Sequence, residues 1–173
     1  FTVFYNVENF FDTINCPLTN DNEFLPTSEK KWNSVKYLHK IKQLEKVFLG
    51  LSAEENNNFL PDLIGLCEVE NKFVLHDLNN KFKEKNYKII HYDSPDERGI
   101  DNALLYDPKK FELIYSNPIV NNLMGKNKTR DILHVKGKFK DNILHIFVNH
   151  WPSNYGGKEK SIPKRNSTAK LII

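Results

Sequence analysis

Three short apolar runs in this chain each end on polar side chains, and that repetition constrains the fold more than any other feature. Val3-Phe4-Tyr5 runs into Asn6, Leu63 to Cys67 runs into Glu68, and Ile146-Phe147-Val148 runs into Asn149 and His150. A short continuous apolar run reads as a strand buried on both faces. Open α/β sheets place ligands at the carboxyl ends of such strands, where side chains leave the core yet stay rigidly held. Alternate strand residues share a face, so Asn6 is expected to face as Glu8 does, Glu68 as Leu66, and His150 as Val148. A single polar exit from a strand is ordinarily just its way out to solvent. Three weaken that reading, although spacing alone does not bring them together. An amide oxygen beside one or two carboxylates is a hard, oxygen-only set that suits Mg2+ or Mn2+ rather than zinc.

Between these runs, Trp32, Val35, Leu38, Ile41, Leu44, Val47 and Leu51 recur at helical spacing and predict a long amphipathic helix. Lys30, Lys31, Lys36, Lys40, Lys42 and Lys46 read as its solvated decoration. Asn56-Asn57-Asn58 reads as a loop, and Phe73, Leu75, Leu78 and Phe82 predict a second helix. Further strands are expected at 87–92, 101–106, 111–115, 132–139 and 143–149, and the sequence ends at Ile173 in what reads as the first turns of a helix. Strand, helix, strand, helix and then mostly strands is the order of an α/β protein with a mixed sheet.

Composition narrows the function classes. A length of 173 residues fits one domain or part of one, and 39% hydrophobic with 12% aromatic residues is enough for a core. No apolar run approaches the roughly 20 residues of a membrane-spanning helix, so no integral membrane segment is expected. The 25 basic and 22 acidic residues leave only +3, too little to mark a nucleic-acid surface by itself. Two cysteines, Cys16 and Cys67, exclude a disulfide scaffold and a four-ligand zinc site, and Cys67 reads as a buried small residue. The compartment stays open: cytoplasmic, or secreted or periplasmic if an amino-terminal signal has been removed.

Five stretches then occur in order: Y-N-V-E-N-F-F-D (Tyr5 to Asp12), G-L-C-E-V-E-N (Gly65 to Asn71), R-G-I-D-N-A-L-L-Y (Arg98 to Tyr106), T-R-D-I-L (Thr129 to Leu133) and N-H-W-P-S (Asn149 to Ser153). Together they resemble the endonuclease/exonuclease/phosphatase family, with its deoxyribonuclease I-like fold. The likeness is nearest to uncharacterised bacterial members carrying V-N-H-W-P-S followed by Gly-Gly. Any one stretch would be a weak signal; five in order over essentially the whole chain are specific.

The resemblance implies an α/β (α+β) fold, a deoxyribonuclease I-like β-sandwich flanked by helices. It implies a Mg2+-dependent phosphoesterase, with Mn2+ as the other candidate ion, acting on a phosphate ester that includes DNA or RNA among the candidates. Asn6 matches the first-strand Asn that holds the metal or its water shell, and Glu68 matches the Glu that ligates the cation. Glu8 falls where some members carry a supporting acid. Arg130 matches an Arg that contacts substrate phosphate, His150 the active-site His, and Asp101 the acid that holds that His. Arg165, ahead of the final helix, is a further candidate anion contact.

These roles are chemically coherent. Negative charge grows on phosphate oxygens during in-line attack, and a cation on Glu68 with a donor from His150 would stabilise it. A carboxylate beside the imidazole would raise its pKa and favour a charged donor. The plainer readings stand beside them. An Arg at a strand start is often a solvated edge residue, Asp101 after Gly99 could simply shape a turn, and Trp151 before Pro152 reads as a packing wedge before a base-stacking platform. His39, His76, His91, His134 and His145 show no partner pattern and read as structural or surface residues.

Family members usually run well beyond this length, to a Gly-Asp-x-Asn strand end and a Ser-Asp-His segment that hold the water-activating acid and its paired His. Neither motif occurs here. Residues 1–173 are therefore expected to be the amino-terminal part of a single domain, an apparently incomplete sandwich whose carboxyl-terminal half is missing. A second completing chain or a diverged stand-alone remnant would also fit. Alone, the chain is expected to be almost silent, forfeiting the 10²–10⁴-fold typical of general base catalysis. A non-catalytic phosphate- or nucleic-acid-binding module derived from the same fold is the competing reading.

Overall fold

In a computed structural model that describes residues 1–55, 59–122, 128–154 and 157–173, two β-sheets pack face to face and helices cover the outer side of the first. The first sheet has the order β1-β2-β4-β3, from β1 (Thr2–Phe10), β2 (Leu63–Val69), β3 (Lys88–His91) and β4 (Asp101–Tyr106). β1 and β2 run parallel, joined through α1 (Ser34–Glu55), and β4 is antiparallel to both neighbours. The second sheet is an antiparallel meander of β5 (Phe111–Ile119), β6 (Ile132–Phe139) and β7 (Asn142–Val148). α2 (Lys72–Asn79) follows β2, and α3 (Lys158–Ala169) follows β7. The expected loop at Asn56-Asn57-Asn58 lies outside the described residues.

Two apolar layers explain the sequence pattern. Ile64, Leu66, Ala103 and Leu105 of the first sheet pack with Ile41, Leu44 and Phe48 of α1 and Val74, Leu75 and Leu78 of α2. Leu63, Ile90, Leu104 and Tyr106 face the other way, against Phe111, Leu133, Val135 and Val148 of the second sheet. β2 is covered on both sides, which is why its sequence is a continuous apolar run. Close approach fixes one glycine: a Cβ on Gly137 would lie 2.1 Å from the Phe111 ring. The ring occupies the space a side chain would need.

Several expectations need correction. The buried stripe of α1 is Tyr37, Ile41, Leu44 and Phe48, whereas Val35 and Leu38 are exposed. The apolar residues of α1 span an arc too wide for spacing alone to rank, and the bulky rings take the inner positions. β5 continues past Pro118 to Ile119, which an edge strand tolerates because the missing N–H faces no neighbour. α3 ends at Ala169, where the Lys170 N–H donates to the Asn166 carbonyl, so the closing residues form a turn. Arg165 lies inside α3, not ahead of it. At the other edge of the molecule, Phe4 of edge strand β1 is 56% exposed. No helix among the described residues is long and apolar enough to cross a membrane.

Candidate active site

The parallel pairing of β1 with β2 runs regularly to Asn6 opposite Cys67 and resumes at Phe10 opposite Val69. Three residues of β1 therefore face one residue of β2, Glu68, and the backbone must buckle. Glu8, Asn9 and Glu68 all adopt left-handed conformations, with φ of 54°, 60° and 66°. Each costs a side-chain-bearing residue roughly 1–2 kcal/mol. Leu66 and Val69 both bury in the helix-side layer, so the irregularity expels Glu68 from strict alternation. The expectation that Glu68 shares the face of Leu66 is thereby corrected.

Hydrogen bonds hold the buckle in place. The Asn6 amide Nδ2 donates to Glu68 Oε1 at 3.1 Å, and the Asn9 N–H donates to Glu68 Oε2 at 2.9 Å. Asn6 Oδ1 in turn accepts from the Glu8 N–H at 2.8 Å. Beyond β7, His150 brings Nε2 to 3.4 Å from Glu68 Oε1. The three polar strand ends picked out in the sequence thus meet at one carboxylate.

The electrostatics differ from expectation. Burial, then the Arg130 guanidinium, holds the His150 pKa below its ordinary value, against the opposing pull of Glu68. The imidazole is therefore neutral near pH 7, not the charged donor expected from its carboxylate neighbour. Its Nδ1 is buried and has no partner among the described residues. Lys40, read from the sequence as surface decoration, donates from Nζ to the Glu8 carbonyl at 2.9 Å. Burial lowers its pKa while Glu8 and Glu68 oppose that shift. Only its place on the one face of α1 that crosses the buckle could have signalled it, and six lysines on or before that helix obscure the signal.

Asp101 does not meet His150. In β4, Ala103 and Leu105 belong to the helix-side layer and Leu104 to the layer between sheets, so Asp101 faces the helices. There its Oδ2 lies 3.1 Å from Nε2 of buried His91, too poorly aligned for a hydrogen bond, and its Oδ1 accepts from the Ser94 N–H at 2.9 Å. The neighbour on the sandwich side is Asn102, which donates to the Asp131 carbonyl at 2.7 Å. His91 therefore has the partner that the sequence did not reveal. With exposed Asp93 it forms a His91–Asp93–Asp101 group whose ligand-type atoms lie within 4.8 Å of one another.

Both arginines clamp backbone. Arg130 is buried, with Nη1 3.2 Å from Asp96 Oδ2 and Nη2 donating to the carbonyls of His150 at 2.9 Å and Trp151 at 3.3 Å. It is neither a solvated edge residue nor a freely presented phosphate fork. Arg165 donates to the Pro152 carbonyl at 3.0 Å and lies 5.3 Å from the centre of the Trp151 ring. Trp151 is the half-buried wedge between them. Burial first, and Glu68 beside it, push the Cys67 thiol up to about 12, so it stays protonated at neutral pH.

A two-sheet sandwich carrying a strained amide–carboxylate–imidazole cluster at its strand ends defines a class, and comparison with known proteins agrees. The chain belongs to the Endonuclease/Exonuclease/phosphatase family, whose model matches residues 2–173. Against curated proteins the sequence finds no match. Among solved structures it is similar to a D. rerio TDP2 humanized by 14 mutations, at 13% identity and a TM-score of 0.62, covering 98% of this chain and 53% of that one. A D. rerio TDP2 complexed with single strand DNA product matches at 14% identity and a TM-score of 0.55, covering 76% and 45%. A functionally unknown conserved protein from Enterococcus faecalis V583 matches at 13% identity and 0.56, covering 90% and 56%. These likenesses show the deoxyribonuclease I-like fold, and the chain spans about half the length of the structures it matches.

Proposed function

We propose that the chain carries the metal-binding and phosphate-facing part of a phosphoesterase that hydrolyses a phosphodiester with divalent-metal assistance. The observation that supports it most is the meeting of Asn6, Glu68 and His150 at a buckle held in left-handed backbone, since strain of this kind persists where a site needs it. Nucleic acid is the favoured substrate class, supported by the family and by the TDP2 relative whose structure holds a DNA product.

Glu68 would hold Mg2+ or Mn2+ through its carboxylate, a hard oxygen donor for a cation that keeps several waters. Asn6, whose Nδ2 faces Glu68 Oε1 and whose Oδ1 accepts from the Glu8 N–H, would orient that carboxylate and meet the ion through its water shell. When bound, the ion supplies Lewis-acid neutralisation of phosphate charge. The chain's own residues do the rest by position. Asn6 and Asn9 fix the Glu68 carboxylate, and Lys40 secures the Glu8 carbonyl beside it. Neutral His150 presents Nε2 towards the same place, able to share one proton with a phosphate oxygen. Arg130 anchors the His150 and Trp151 carbonyls and so positions the imidazole. Residues 1–173 are then the amino-terminal part of one domain, with the water-activating acid supplied from elsewhere.

The second reading, a module that binds phosphate without turnover, is favoured by one observation. Among the described residues, the three-member groups of ligand-type side chains do not include Glu68. A Mg2+ titration with bis(4-nitrophenyl) phosphate, run on the form that includes the rest of the domain, separates the two. Metal-dependent release of nitrophenol that Glu68→Gln removes supports the enzyme, and binding of the diester without release supports the module.

A further inference from the structure

A cleft of about 520 Å³ opens between α3 and the segments around residues 96–98 and 128–130. Its walls carry five cationic side chains, Arg98, Lys128, Arg130, Lys160 and Lys164, against the two carboxylates Asp96 and Glu97. Asp96 is already committed, with Arg98 Nε at 3.4 Å and Arg130 Nη1 at 3.2 Å. Among the described residues, Lys128, Lys160 and Lys164 have no carboxylate within ion-pair distance. Lys160 and Lys164 sit one turn apart on α3, and like charges at that spacing repel unless something between them is negative. Buried Arg130 adds an Nε that has no partner among the described residues. A solvated basic face would let its cations diverge; these line one concavity.

The cleft also adjoins the candidate active site. Arg130 lines it while donating to the His150 carbonyl, and Pro152, two residues beyond His150, is another wall residue. Ammonium and guanidinium groups around a pocket suit phosphate oxygens through charge-assisted hydrogen bonds. We propose that this cleft is a second phosphate subsite, which seats a phosphate of a single nucleic-acid strand adjacent to the one held beside Glu68 and His150. The inference rests on the phosphodiester reading and sharpens it. A strand supplies a covalently linked second anion, and a lone phosphomonoester does not.

The test is fluorescence anisotropy of a labelled ten-nucleotide thymidine strand, titrated with the chain in EDTA over a range of salt. Three forms are compared: wild type, Lys160→Ala/Lys164→Ala, and Lys42→Ala/Lys46→Ala, which removes the same charge at the same spacing from the exposed face of α1. Circular dichroism confirms that each is folded. The cleft pair is expected to weaken binding about tenfold near 0.1 M salt and to reduce the log–log salt slope by about 0.7, the value for one phosphate contact on a single strand. The α1 pair is expected to change affinity less than about twofold. Equal losses in both pairs would reduce the cleft to general electrostatics and overturn the proposal, as would no loss in either. Absence of Mg2+-dependent turnover in the form that includes the rest of the domain, with cleft-dependent strand binding intact, would strike the phosphoesterase reading and leave the subsite standing.

Discussion

Two histidine–carboxylate pairs border the same sheet, and they differ in what surrounds them. His91 and Asp101 are sealed on the helix side, with side chains 1% and 4% exposed. His150 and Glu68 lie between the carboxyl ends of the strands, at 20% and 14%, against a backbone held in three left-handed residues. The sealed pair sits in relaxed strands and serves the fold. The open pair is bought with strain and is the more exposed of the two. Proximity of an imidazole to a carboxylate is therefore not what marks a site; access and backbone strain are.

The largest effect expected on this contrast is on stability. Asp101→Ala removes the acceptor of the Ser94 N–H and the carboxylate beside buried His91, and is expected to cost about 1–3 kcal/mol in urea unfolding, whereas Glu68→Gln is expected to change stability by less than about 1 kcal/mol. Equal costs would erase the distinction between the pairs. In activity the order should reverse. In the form of the protein that hydrolyses a phosphodiester, His150→Ala is expected to lower kcat by about 10²-fold with little change in KM, the lower end of what a positioned proton donor contributes. His91→Gln, assayed well below its unfolding temperature, should leave kcat within about threefold.

A third prediction uses Glu70, a buried carboxylate near both pairs but belonging to neither. Burial first, then the charges of Asp12 and Asp21, push it up to about 7 from 4.5, against the Asp12 N–H that it accepts. The folded form thus holds its proton more tightly than the unfolded form. The resulting stability is present below about pH 4.5 and is lost as pH rises through about 7. Melting curves should show wild type falling relative to Glu70→Gln across that window, and parallel curves would contradict the assignment. The smallest effect is expected at Lys40. Lys40→Met keeps the apolar stem but loses the bond to the Glu8 carbonyl, and should lower kcat only about threefold with the melting temperature nearly unchanged.

Much of this was legible in the sequence. β4 and β6 fall at the expected residues, each followed by a turn that ends it, and Asn6, Glu68 and His150 were visible as polar ends of apolar strands. What could not be read was face and register. Asp101 lies in the right stretch, but strand parity turns it towards His91, and parity becomes visible only once Ala103 and Leu105 are known to face the helices. The buckle that expels Glu68 is a mismatch between two strands some sixty residues apart, and neither strand encodes it alone. Arg165 looks like a free anion contact until the Pro152 carbonyl it holds is seen, and nothing in the sequence shows that Arg130 also holds the His150 and Trp151 carbonyls.

The central claim, that a divalent ion binds at Asn6 and Glu68 and not at the His91–Asp93–Asp101 group, can be read directly from the histidine ring resonances of the 15N-labelled chain during a substoichiometric Mn2+ titration. Paramagnetic broadening is expected first and most strongly at His150, competed away by Mg2+ and abolished by Glu68→Gln but not by Asp93→Asn. Broadening that appears first at His91, and that survives Glu68→Gln but not Asp93→Asn, would contradict the account and move the metal to the other face of the sheet.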